Sequence, residues 1–291
     1  MPVYEHTYRN YEGVFRHRFR WWIVVEQEFR VLARLRIFKF LVLLSSIQVL
    51  LRLVQIVAYD TIVQDPNHPM AAVLSRLEGI TVKSSTFFDF INFQTPVMFI
   101  ILLYAGAGMI CNDFRNNLME IYFSKPLRWH DYLLGKAATL ILLGLSVTAL
   151  PALFLIAEHV ILLPSWELAR EAVGMASASL LFSLVLVVPT ALAVLACSSL
   201  LPGQNYAAIT LFMLIIANSS MAGLLSQSLR ARSYLGLSYP LAVMRLGQDF
   251  FGIRPAIFDM AWHWPFLLLA VTALICLLIV ARRVRRAEIP A

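Results

Sequence analysis

Six stretches of about 20 residues, each almost free of charge, recur along this chain of 291 residues. A helix rising 1.5 Å per residue needs about 20 apolar residues to cross the roughly 30 Å of hydrocarbon in a bilayer. Inside lipid the backbone must satisfy its own hydrogen bonds, so such runs are helices. They fall at about 37–58, 87 or 93 to 111, 132–157, 172–197, 206–225 and 262–280. The fold class they predict is all-α, a polytopic membrane protein with six transmembrane helices. Composition agrees, with 60% hydrophobic and 14% charged residues, against about a quarter charged in soluble domains. What remains is too short for a separate soluble domain.

The basic residues orient the spans. Of 24 lysines and arginines, sixteen fall on the side of the termini and of the 111–136 bridge, seven fall in the opposite loops, and Arg52 lies in a span. This bias puts both termini in the cytosol. It also accounts for the net charge of +7 by membrane orientation rather than by nucleic acid. Residues 1–36 hold seven arginines and no uninterrupted apolar core, unlike a signal peptide. Within 18–36, Trp22, Val25, Phe29, Leu32 and Leu35 share one helical face, Gln27, Arg30 and Arg34 the other, and Glu26 precedes Arg30 by four. That pattern predicts a helix lying in the membrane interface. The organisation expected is therefore a cytosolic lead with an interfacial (elbow) helix over 1–36, a six-span unit over 37–282 and a basic cytosolic tail over 283–291. The segment 226–261 is too polar for a plain span and is expected to dip back into the protein from the outer side.

Two polar features interrupt the apolar pattern. In the first span Ser45, Gln48, Arg52, Gln55 and Tyr59 are spaced 3, 4, 3 and 4 and form one stripe. A charge facing lipid at mid-bilayer costs about 2.5–3.5 kcal/mol on insertion scales, so the stripe should face protein or a water-filled path. Arg52 alone also fits snorkelling to the headgroups. Asn218, in the fifth span, fits either substrate contact or a hydrogen bond between helices. Gln48, Arg52, Gln55 and Asn218 are candidates for a translocation path or a dimer seam. The second feature is the bridge GAGMICNDFRNNLMEIYFSKPLRWHDYLLGK over 106–136. Phe114, Leu118, Ile121 and Tyr122 give it one apolar face, which predicts a short helix that lies on the bilayer or docks a soluble partner.

The same bridge carries a family resemblance. Asp113 and Glu120 supply the acidic positions, Ser124 and Pro126 a Ser-x-Pro, Arg128 a basic residue, and 132–136 a closing Tyr-Leu-Leu-Gly-Lys. With an interfacial helix and six spans, the chain resembles an ABC-2 type transporter permease of the bacterial branch that includes the NosY and GldF permeases. It departs in having Asn117 and Leu118 where the family pattern has glycine and threonine. The resemblance implies a permease subunit, an exporter of the bacterial inner membrane, working as a homodimer or with a related permease. Each copy would bind a cytosolic ABC ATPase subunit through a coupling helix between spans 2 and 3. Asp113, Glu120, Ser124, Pro126, Arg128 and Trp129 are the coupling residues it implies.

The chain itself offers no engine. It lacks a GxxxxGK[ST] loop, and Leu134-Gly135-Lys136-Ala137 lacks both the earlier glycine and the hydroxyl. No catalytic residue, metal site or cofactor of its own is expected, with ATP and Mg²⁺ bound by the partner. A secondary transporter would need carboxylates or histidines within the spans; no Asp or Glu stands deep in the six runs, and Glu158 and His159 lie at an edge. A non-transporting membrane subunit of a larger assembly machine is the other alternative. Nothing in the chain identifies the cargo.

Overall fold

The computed structural model describes residues 19–63, 81–124, 127–162, 166–255, 257 and 260–288, and its elements are all helical. In chain order they are α1 (Arg20–Leu32), α2 (Arg36–Ala58, prolonged by a π turn over Tyr59–Val63), α3 (Ser84–Gly106), α4 (Cys111–Arg115), α5 (Leu118–Phe123), α6 (Trp129–Val147), α7 (Ala149–Leu162), α8 (Trp166–Leu200), α9 (Gln204–Ser228), a 3-10 turn (Arg232–Leu237), α10 (Tyr239–Phe250) and α11 (His263–Glu288). Six helical stretches are long and apolar enough to cross a membrane: Arg36–Val63, Ser84–Arg115, Trp129–Leu162, Arg170–Leu200, Gln204–Ser228 and His263–Glu288.

The bundle is built around α8, which packs against α3, α6, α7, α9, α10 and α11. Its apolar window is 67% buried, against 11% for those of α2 and α9 and 17% for α11. The last three therefore form the outside of the bundle, where Leu50, Leu51, Ile209, Phe212, Leu274 and Leu278 are exposed. Small residues set the closest approaches. A Cβ on Gly106 would come within 2.6 Å of both Leu140 Cδ1 and Val194 Cγ1, so only glycine lets α3 lie this near α6 and α8. Around Phe182 the core is aromatic, with Phe88 stacked at 5.4 Å between ring centroids.

The third span breaks at Thr148, between α6 and α7. Pro151 is the reason: it has no N–H to return to the Val147 carbonyl four residues earlier. In a bilayer that freed carbonyl needs a donor. Gln94 of α3, fully buried, supplies one, donating its amide to Val147 O at 3.3 Å and to the Ser45 hydroxyl of α2.

Three expectations change. The bridge helix is two short helices, because Asn117 adopts the left-handed conformation (φ 54°, ψ 27°) between α4 and α5. The second span starts at Ser84, ahead of both expected starts at 87 and 93, so that Asp89 stands in its second turn. The first span continues past Ala58, which turns Asp60 inward. Acidic groups thus do stand within the helices that span, near the ends facing away from the bridge. Within the segment 226–261 the described residues form the end of α9, a 3-10 turn and α10. Its helix α10 has 12 residues, about 18 Å at 1.5 Å per residue and too short to span. It buries Ala242, Val243, Leu246 and Gly247 and packs on α8 and α11.

Candidate functional site

Lys136, 1% exposed, is the centre of a buried ionic cluster at one end of the bundle. It stands in the second turn of α6, where a lone ammonium would cost several kcal/mol in desolvation. Its Nζ lies 2.6 Å from Glu28 Oε1 of α1 and 2.7 Å from Asp113 Oδ2 of α4, and donates to the Met109 carbonyl at 3.1 Å. Tyr132 donates its hydroxyl to the same Asp113 oxygen at 2.7 Å. The rings of Tyr122 (α5) and Tyr132 stand 5.8 and 5.3 Å from the ammonium. Burial pushes the Tyr122 phenol above its ordinary value, with Lys136 acting in the opposite sense. One cation thereby fastens α1, α4, α5 and α6 together.

The backbone geometry around the cluster explains its neighbours in sequence. A Cβ on Gly135 would come within 2.5 Å of Val24 Cβ and 2.9 Å of the Trp21 carbonyl. Glycine at 135 is what allows α1 to lie flat across α6 and deliver Glu28. On α1, Val24, Val25 and Leu32 are buried, while Glu26 and Arg30 pair at 2.9 Å on the exposed face. Ser198 of α8 accepts the N–H groups of Ile110 and Cys111 at 3.0 and 3.2 Å and so caps the start of α4. At the start of α6 the Trp129 N–H reaches Glu288 Oε1 of α11 at 3.4 Å. The first and last described helices therefore meet at the same end of the bundle.

The expected coupling residues divide between this interior and the surface above it. Asp113 is buried in the cluster, and Trp129 is half-buried against the core. Glu120, Ser124 and Arg128 are exposed, with Ile121 beside them at 56% exposure. Pro126 lies outside the described residues. The Arg128 N–H is held by Asp131 Oδ2 at 3.3 Å, which closes the first turn of α6.

The first-span stripe lies along the side of α2 that meets α3. Ser45 is buried; Gln48, Arg52, Gln55 and Tyr59 are half-buried. Gln48 donates to the Phe90 carbonyl at 3.5 Å, and Arg52 to Gln55 Oε1 at 2.7 Å. Asp89 of α3 attracts Arg52 electrostatically across the same seam. Asn218 lies elsewhere. From α9 its Nδ2 donates to the Leu237 carbonyl at 3.1 Å, and its Oδ1 accepts the Tyr239 N–H at 2.7 Å, capping α10. It also borders a cavity of about 270 Å³ that adjoins a second of about 360 Å³. The two share Phe99, Thr190, Ile215 and Tyr239, and among the described residues no charged side chain lines either. Thr190 and Tyr239 join hydroxyls at 2.9 Å between them.

Compared with known protein families and with characterised proteins, the chain matches no family model and no individual sequence. Its chemistry is therefore read from its own residues. Sequence reasoning missed Glu28, although an acid on the face shared by Val24, Val25 and Leu32 signals a buried counter-ion. It also missed Gln94, whose partner carbonyl exists only because of Pro151. At the far end, His159 Nδ1 and Asp60 Oδ2 are 2.7 Å apart and buried, pinning the π turn to α7. Among the described residues no group of three or more His, Cys, Asp or Glu is placed to hold a metal ion.

Proposed function

We propose that this chain is the permease subunit of an ABC-2 type transporter, an exporter in a bacterial inner membrane with both termini cytosolic. A separate ABC ATPase binds ATP and Mg²⁺ and docks on the α5–α6 bridge, and a second permease copy completes the pore. One observation carries the reading most: the Lys136 cluster makes α1, the bridge and the third span a single lever. A push on exposed Glu120, Ser124 or Arg128 would reach α6 without being absorbed by a soft loop. Asn117 adds support. It stands where the family pattern has glycine, and its left-handed backbone is the conformation that glycine and asparagine tolerate best. The closing motif is also accounted for, with Tyr132 and Lys136 in the cluster and Gly135 under α1. The coupling itself is a bias between two packings of the spans, set by nucleotide at the partner.

The test is co-purification from the native membrane. A tagged chain is expected to bring down an ATP-hydrolysing subunit in stoichiometric amount. Glu120→Arg with Arg128→Glu should abolish the association while membrane insertion is unchanged. A transport-competent particle with no ATPase would overturn the proposal. The Asp60–His159 pair favours one second reading, a secondary transporter driven by protons. Under it, Asp60→Asn would abolish gradient-driven transport in vesicles free of ATP.

A further inference from the structure

At the same end of the bundle, a cavity of about 330 Å³ lies between α4, the α8–α9 turn and the last turns of α11. Phe114, Leu200, Leu201 and Pro202 give it an apolar side, Cys111 and Ser199 line it beside them, and two arginines, Arg115 and Arg283, complete the lining. The Arg283 guanidinium is held 5.2 Å from the centroid of the Phe114 ring, an attraction that orients the group without neutralising it. Among the described residues neither arginine is paired with a carboxylate. Asp113, two residues before Arg115, is already committed to Lys136. Both arginines are exposed residues, so a ligand can reach them. Exposed Arg282, Arg285 and Arg286 on the same turns of α11 add to the positive field.

We infer that this cavity binds the phosphate group of an anionic phospholipid headgroup. Guanidinium forks match phosphate oxygens in geometry and charge, and basic pockets between membrane helices are where such headgroups lodge. The apolar side chains beside the two arginines favour a lipid over a free anion. Leu200 of the lining is exposed, as are Tyr206 and Ile209 on the first turns of α9, and acyl chains can run along such an apolar surface. The inference is independent of any ATPase partner.

Native mass spectrometry tests it on the full chain in non-ionic detergent, titrated with phosphatidylglycerol or phosphatidylcholine. The wild type is expected to retain phosphatidylglycerol preferentially. Arg115→Gln with Arg283→Gln should weaken that binding roughly thirtyfold, at about 1 kcal/mol per basic residue. Because both side chains are exposed, each single variant should fold and lose roughly fivefold. Lysine at both positions should keep most of the binding, and Arg232→Gln with Arg254→Gln, at the opposite end, should change nothing. Undiminished binding in the double glutamine variant overturns the site, as does an equal loss with both lipids. If inorganic phosphate alone saturates the cavity and displaces the lipid, the lipid is overturned as occupant and the site belongs to a soluble anion.

Discussion

Lys136 concentrates at one atom the chemistry that distinguishes this chain from a plain bundle of apolar helices. Two carboxylates, a main-chain carbonyl and two aromatic faces surround its ammonium, and the Tyr132 hydroxyl takes up part of the surplus negative charge on Asp113. Such clusters are worth little over an apolar replacement of the whole set, but removing one member is costly because the others stay buried. Lys136→Met is therefore expected to destabilise the protein by about 3–5 kcal/mol, read as a lowered unfolding midpoint in detergent. A midpoint equal to that of the wild type would show that Glu28 and Asp113 can reach water. Lys136 and Asp113 are visible in the sequence as charges flanking a span. Glu28 is 108 residues away from Lys136, and no local pattern pairs the two.

The elements that matter most are the ones with the least room. Gly135 sits directly under α1, so Gly135→Ala should lift that helix and loosen the Glu28–Lys136 contact, at a cost of about 1–3 kcal/mol for overpacking. Spin labels at exposed Ile23 and Ile121 should report a longer or broader distance. An unchanged distribution would mean that α1 yields in place. On the other side of the bundle, the α2–α3 seam carries Gln48, Arg52 and Gln55, with Asp89 opposite. Arg52→Leu leaves Asp89 without that cation and, under the proposed function, is expected to impair transport or oligomer assembly. Full activity and an unchanged assembly would mean that Arg52 serves only to reach the headgroups. The stripe was legible from its spacing, because period and polarity are local. Its partner helix was not, because a helical face says what it avoids but not what it meets.

At the scale of the whole molecule, one end gathers α1, the bridge, the end of α8 and the C-terminal arginines. The far end holds the Asp60–His159 pair and the turn before α10. If both termini are cytosolic, as proposed, a single cysteine at Ile121 in a variant lacking the three native cysteines should resist an impermeant maleimide applied to intact cells. One at Trp262, 60% exposed, should react. Labelling in the reverse sense would invert the topology and remove the bridge from any cytosolic ATPase.

The six helices long and apolar enough to cross a membrane, the amphipathic pattern of α1 and the presence of a polar bridge follow from the sequence by itself. Each depends on the length and period of apolar residues, and a bilayer rewards those properties locally. Only the tertiary structure decided where the bridge breaks, which helix lies at the centre and which distant acid answers Lys136. Those outcomes turn on close approach at Gly106 and Gly135, on a carbonyl released by Pro151 and on desolvated charge. Each is a contact between residues far apart in the chain, and its energy exists only once the helices have packed.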